Sequence, residues 1–89
     1  MDTYPGRIVK SLAGRDKDKY FVVLEVIDDI YCLIADGDTR KVDMPKKKKK
    51  KHLRVTDYSL DGISEKLSTG QTVTNSMIRK ELKNIISED

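Results

Sequence analysis

Lys46, Lys47, Lys48, Lys49, Lys50 and Lys51 follow one another without interruption, and six adjacent ammonium groups have one obvious chemistry, the binding of a polyanion. Lysine is a compact point charge on a flexible stem, suited to contacting phosphate without reading a base, whereas arginine offers a planar fork. Arg40, Lys41 and Arg54 flank the run. Residues 40–54 carry nine basic side chains and one acidic, while the whole chain of 89 residues carries 18 basic and 15 acidic for a net charge of +3. The remainder is therefore acidic, and an excess so concentrated reads as a dedicated contact surface rather than scattered solubilising charge. The plain alternative is a solvated charge run. If all six lysines displaced counterions, log affinity would fall against log salt with a slope of about −4 to −5. In an extended segment alternate side chains face opposite ways, and a slope of roughly −2 to −3 results.

A smaller basic group, Arg15, Lys17 and Lys19, alternates with Asp16 and Asp18. It reads either as a secondary contact or as a salt-bridged turn. Tyr4, Tyr20, Tyr31 and Phe21 offer faces on which bases could stack, but Tyr20, Phe21 and Tyr31 sit inside apolar runs and are expected in the core, whereas Tyr4 is freer to be exposed. His52 is the only histidine and Cys32 the only cysteine, so one chain cannot assemble a zinc site of four nitrogen and sulfur ligands. Cys32 lies between Tyr31 and Leu33, where an inert apolar thiol is expected. Asp28, Asp29, Asp36 and Asp38 fall where aspartate serves turns. No phosphate-cradling glycine loop of Walker type and no calcium-loop spacing is present. The expectation is a non-enzyme with no catalytic residue, metal or cofactor.

The elements that must position these groups are short. Residues 6–12 read as a first strand, bounded by Pro5 and by Ala13 and Gly14. Residues 20–27 are apolar at nearly every position and give the strongest strand signal. Asp28 and Asp29 break the run, and residues 30–35 resume it as the second arm of a hairpin. Gly37 marks the next turn, residues 39–42 predict a fourth strand ended by Pro45, and residues 53–56 a fifth that emerges from the basic run. Five short strands with no intervening helix predict a small barrel, whose closure would hide the strand edges. Residues 63–67 suggest one helical turn. Thr74 or Asn75 would cap a last helix, with Val73 stapled onto Ile78. Ile78, Leu82, Ile85 and Ile86 form one stripe on it, expected to pack over an open end of the barrel or else to bind a partner.

One domain is all that this length supports. The expected division is a barrel over residues 1–56, including the basic run, and a helical appendage over residues 57–89. No apolar run is long enough for a membrane span, the first residues lack the layout of a secretory signal, and a lone cysteine needs no oxidising compartment. A soluble, cytoplasmic monomer is expected.

The stretch from Gly6, Arg7, Ile8 and Val9 through Ala13, Gly14, Arg15, Asp16 and Lys17 to Tyr20, Phe21, Val22 and Val23 resembles a KOW motif. The later segments Val26-Ile27-Asp28, Ile34-Ala35-Asp36-Gly37-Asp38, Arg40-Lys41 and the run from Pro45 through Lys51 to Leu53 extend the likeness. Together they resemble small bacterial KOW proteins similar to archaeal and eukaryotic large-subunit ribosomal proteins. The likeness covers residues 5–56 and weakens beyond them. It implies an SH3-like barrel that binds RNA, ribosomal RNA or the ribosome above all, without enzymatic activity. Where KOW motifs often carry glycine, this chain has Asp18. Joined to the charge pattern, the resemblance implies phosphate contacts from Arg40, Lys41, the six lysines and Arg54, with Arg15, Lys17 and Lys19 as a second group. The same module occurs in transcription elongation factors. A second expectation is thus a protein-interaction module docking on a ribosomal protein, a polymerase or another acidic partner, with the lysines steering approach. Nonspecific DNA binding, or a nuclear address in a eukaryote, would use the same charge.

Overall fold

The computed structural model describes residues 3–86. Its elements are β1 (Arg7–Ser11), β2 (Tyr20–Val26), β3 (Tyr31–Ala35), β4 (Lys46–Lys49), β5 (Leu53–Ser59), α1 (Asp61–Ser68) and α2 (Asn75–Ile86), with a single 3-10 turn (Lys50–His52) between β4 and β5. The five strands form one antiparallel sheet in the order β4-β3-β2-β1-β5. Among the described residues no helix is long and apolar enough to cross a membrane.

The apolar run of β2 is explained by burial on both faces. Phe21 and Val23 point to one side, where they pack with Val9, Cys32, Ile34 and Leu53; Val22 points to the other, where it packs with Ile8, Ala35 and the helices. Strands buried on both faces lose the polar-apolar alternation that marks a half-exposed sheet. Between Val23 and Glu25 the pairing with β3 slips by one residue, after which Val26 stands opposite Cys32 and rejoins the side of Phe21 and Val23. A bulge of this kind also sharpens local twist.

The sheet is strongly curled. Leu53 and Val55 of β5 share a cluster with Cys32 and Ile34 of β3, although two strands separate them in the sheet. The two edge strands, β4 and β5, are joined by only three residues, which brings their ends together. The helices cover the outer face: Leu60, Ile63, Val73, Ile78 and Leu82 pack on Ile8, Val22 and Ala35. β5 runs past residue 56 to Ser59, and the helices share a core cluster with the sheet.

Two expectations about the elements need correction. Residues 39–42 form no strand. The Asp36 carboxylate accepts from the Asp38 and Arg40 amides and from the Thr39 hydroxyl, and the Asn75 side chain takes the Val42 amide at 2.7 Å, so this segment's donors are taken up by a turn and by α2. The fourth strand is the lysine run itself, which pairs with β3 from Lys46 opposite Ile34 to Lys49 opposite Tyr31. Pro45 precedes this strand instead of ending one. The second correction is α1, which extends to two turns. α2 forms as expected, with the Thr74 hydroxyl accepting from the Met77 amide. It lies across a sheet face, with Ile78 and Leu82 buried and Ile86 exposed.

Candidate functional site

Pairing to β3 gives every second lysine of β4 a different environment. Lys48 stands opposite Cys32, whose side chain faces the inner cluster, and only 7% of Lys48 is exposed. Its Nζ donates to the Ala13 carbonyl at 2.8 Å and to Asp16 Oδ1 at 3.0 Å. Lys46, two residues earlier on the same face, donates to Asp16 Oδ2 at 3.0 Å. The Ser11 hydroxyl donates to Asp16 Oδ1 at 2.7 Å. One carboxylate from the β1–β2 loop is thus clamped by two lysines and a serine under the rim of the sheet. Burial works to raise the Asp16 pKa, but the Ser11 hydroxyl and the Lys48 and Lys46 ammoniums outweigh it and hold the carboxyl well below the usual carboxylate range. A buried charge persists only when paired and hydrogen-bonded in this way.

Lys47 and Lys49 point the other way. The Lys47 ammonium lies 4.5 Å from the centroid of the Tyr31 ring, within cation–π range. Lys49 stands directly opposite Tyr31 in the register. Ala13, Gly14, Tyr31, His52 and Lys47 to Lys49, the inward-turned Lys48 included, line a shallow groove between the β1–β2 loop and the strand. Lys50 and Lys51 continue the row on the 3-10 turn, whose start is fixed by the Lys50 amide donating to Ile30 O at 2.8 Å. Among the described residues no carboxylate comes within ion-pairing distance of Lys47, Lys49, Lys50 or Lys51.

The loop that carries Arg15, Lys17 and Lys19 is salt-bridged, but to β4 and not among its own charges. Asp16 makes the salt bridges, and the three basic side chains are exposed around it. Asp18 is the one described non-glycine residue with positive φ, at 72°. Aspartate is among the few residues that tolerate this left-handed conformation.

The other expected residues are not gathered here. Arg40 and Lys41 lie on the 36–45 connection, which is tied to α2 through Asn75 and through Arg79 Nη1 donating to Gly37 O at 2.6 Å. Gly37, at φ 77°, is also the point where the Asn75 backbone comes so close that no Cβ would fit. Arg54 stands on β5, directly opposite Lys10 of β1, which in turn is opposite Tyr20 of β2. Cys32 is buried, and burial pushes its thiol pKa up. It packs as an apolar group.

Sequence reasoning missed that Tyr31 and Gly14 lie beside the lysines, and that Asp16 anchors two of them. The available signal was parity: once the lysine run is taken as the strand after β3, every second lysine must share a face with the apolar residues of β3 and needs a buried partner. Set beside known proteins, the chain matches no family model and no curated protein.

Proposed function

We propose that this chain is a KOW-type, SH3-like barrel that binds RNA, in the ribosome or in association with it, by phosphate contacts along the outward face of β4 and the turn after it. The observation that carries the reading is the split of the lysine run. Lys46 and Lys48 are engaged by Asp16, while Lys47, Lys49, Lys50 and Lys51 form a row with no carboxylate in ion-pairing distance among the described residues, near Asp28 and Asp29 but bridged by neither. Such a row positions a phosphate backbone without reading sequence. Tyr31 adds an aromatic face on which an unpaired base can stack.

The barrel reading draws support from the curl of the sheet and from the three-residue turn that joins its two edge strands. The KOW reading draws support from Asp18, whose left-handed backbone falls where such motifs often carry glycine.

A second reading is favoured by the topology. β4 is an edge strand, and lysines on an edge deter pairing with another chain. On that reading the row protects solubility and binds nothing specific. A salt titration separates the two, using fragments of ribosomal RNA, duplex DNA and intact ribosomes against the wild type and a variant with Lys47, Lys49, Lys50 and Lys51 changed to serine. Four phosphate contacts predict that the slope of log affinity against log salt becomes shallower by about 2.8 on single-stranded RNA. Unchanged RNA affinity and slope in a variant that self-associates would replace the RNA reading with the edge-protection one.

A further inference from the structure

We infer that Arg54, Lys10 and Tyr20 form a second subsite, which takes one nucleotide of a single RNA strand with the phosphate between the two cations and the base on the tyrosine ring. The inference rests on the RNA reading above and extends it to a part of the sheet away from the lysine strand.

The three residues form a single row across β5, β1 and β2, since Lys10 is the register partner of both Arg54 and Tyr20. Directly opposed residues on antiparallel neighbours stand about 4.5–5.5 Å apart at Cβ, and like charges so placed destabilise the sheet. No other register pair in this sheet opposes two charges: the β4 lysines face Tyr31, Cys32, Leu33 and Ile34, Arg7 faces Ser59, and Glu25 faces Leu33. Here the sheet opposes two cations with no carboxylate in ion-pairing distance among the described residues. The Arg54 guanidinium makes no hydrogen bond to any described residue and is exposed. A fold that keeps two opposed cations unbridged, with Asp57 lining the same groove but in ion-pairing distance of neither, is placed to accept an anion between the two groups.

The third member decides what the anion belongs to. Lys10 Nζ lies 5.6 Å from the centroid of the Tyr20 ring. The ring is half-buried against the helix-side cluster, and it borders a groove shared with Lys10, Arg54, Val55, Thr56 and Asp57. The helices cover Ile8, two residues before Lys10 on the same face, but leave this row open. A cation pair one strand away from an aromatic face matches the phosphate and base of one nucleotide. Bases within a duplex are stacked on one another and offer no free face, which favours single-stranded RNA.

The test uses the full chain and two probes, an eight-nucleotide uridine RNA and inorganic polyphosphate of matched charge, titrated by calorimetry. Tyr20→Leu should weaken uridine binding by about five- to a hundredfold, the usual worth of one stacked base. Tyr20→Phe should restore it, and polyphosphate affinity should move in neither. A double Lys10→Ser, Arg54→Ser variant removes one phosphate contact and should make the RNA salt slope shallower by about 0.7. Because that variant removes a repulsion at the surface, it should unfold in urea no earlier than wild type, so it remains informative if Tyr20→Leu fails to fold. Wild-type RNA affinity and salt slope in the double variant would overturn the subsite. If that result accompanies lost binding in the lysine-row variant, the RNA reading stands and only the subsite falls. An equal loss on both probes in Tyr20→Leu would overturn the base contact, and wild-type protein that binds polyphosphate but no RNA would overturn both readings.

Discussion

Asp16 joins Ser11, at the end of β1, to Lys46 and Lys48, which lie 30 and 32 residues away along the chain. Removing one partner of a buried ion pair leaves the other charge stranded, at a cost of about 3–5 kcal/mol. For a domain of this size that is a large part of a total near 5–10 kcal/mol. Asp16→Asn is therefore expected to lower the urea midpoint sharply at pH 7. The pH dependence comes from the depressed folded pKa. A carboxyl depressed on folding contributes stability that is complete above its unfolded value, about 3.9, and is lost as pH falls toward the folded value. The gap between wild type and Asp16→Asn should thus narrow at pH 3 relative to pH 7. A gap of constant size would mean that Asp16 acts by shape rather than by charge.

At the scale of elements, β2 and α2 were legible because their signals are local. A seven-residue apolar strand and a stripe at helical spacing with a threonine cap need no knowledge of the rest of the chain. β4 was illegible for the opposite reason. Lysine is a poor strand former, and its place in the sheet comes from the free edge of β3 and from Asp16, neither visible locally. Residues 39–42 misled because the strand preference of their threonine and valine is overridden by the Asp36 turn and by Asn75. The candidate site shares this asymmetry. Which residues are basic was plain, but which lysines face outward depends on register. The loop between β1 and β2 offers its own check, since Asp18 holds φ 72° between β1 and β2 while its amide donates to Ser11 O at 2.8 Å. Glycine adopts this backbone freely, whereas a β-branched side chain does not. Asp18→Gly should leave stability unchanged or raise it by up to about 1 kcal/mol, and Asp18→Val should lower it by about 1–2 kcal/mol, both read from urea unfolding.

Across the whole molecule, the chain binds its own ends into one sheet. β5 pairs with β1 over more than forty residues, from Arg7 opposite Ser59 to Ser11 opposite Leu53. The two helices after β5 then close over the outer face, so neither core cluster is complete until the chain has returned. β4 is held by β3 on one side, by Asp16 beneath and by the short turn into β5. The four lysines of β4 and the two of the turn after it are also six consecutive bonds that trypsin recognises. A protease needs a stretch of backbone pulled out of its hydrogen bonds, and a strand so tethered leaves the sheet only when the sheet itself opens. Trypsin should therefore spare residues 46–49 in the native state and cut them at a rate that rises with urea in step with global unfolding. Rapid native cleavage there would show the strand detached. The most cleavable sequence in the chain thereby becomes a reporter of its rarest conformation.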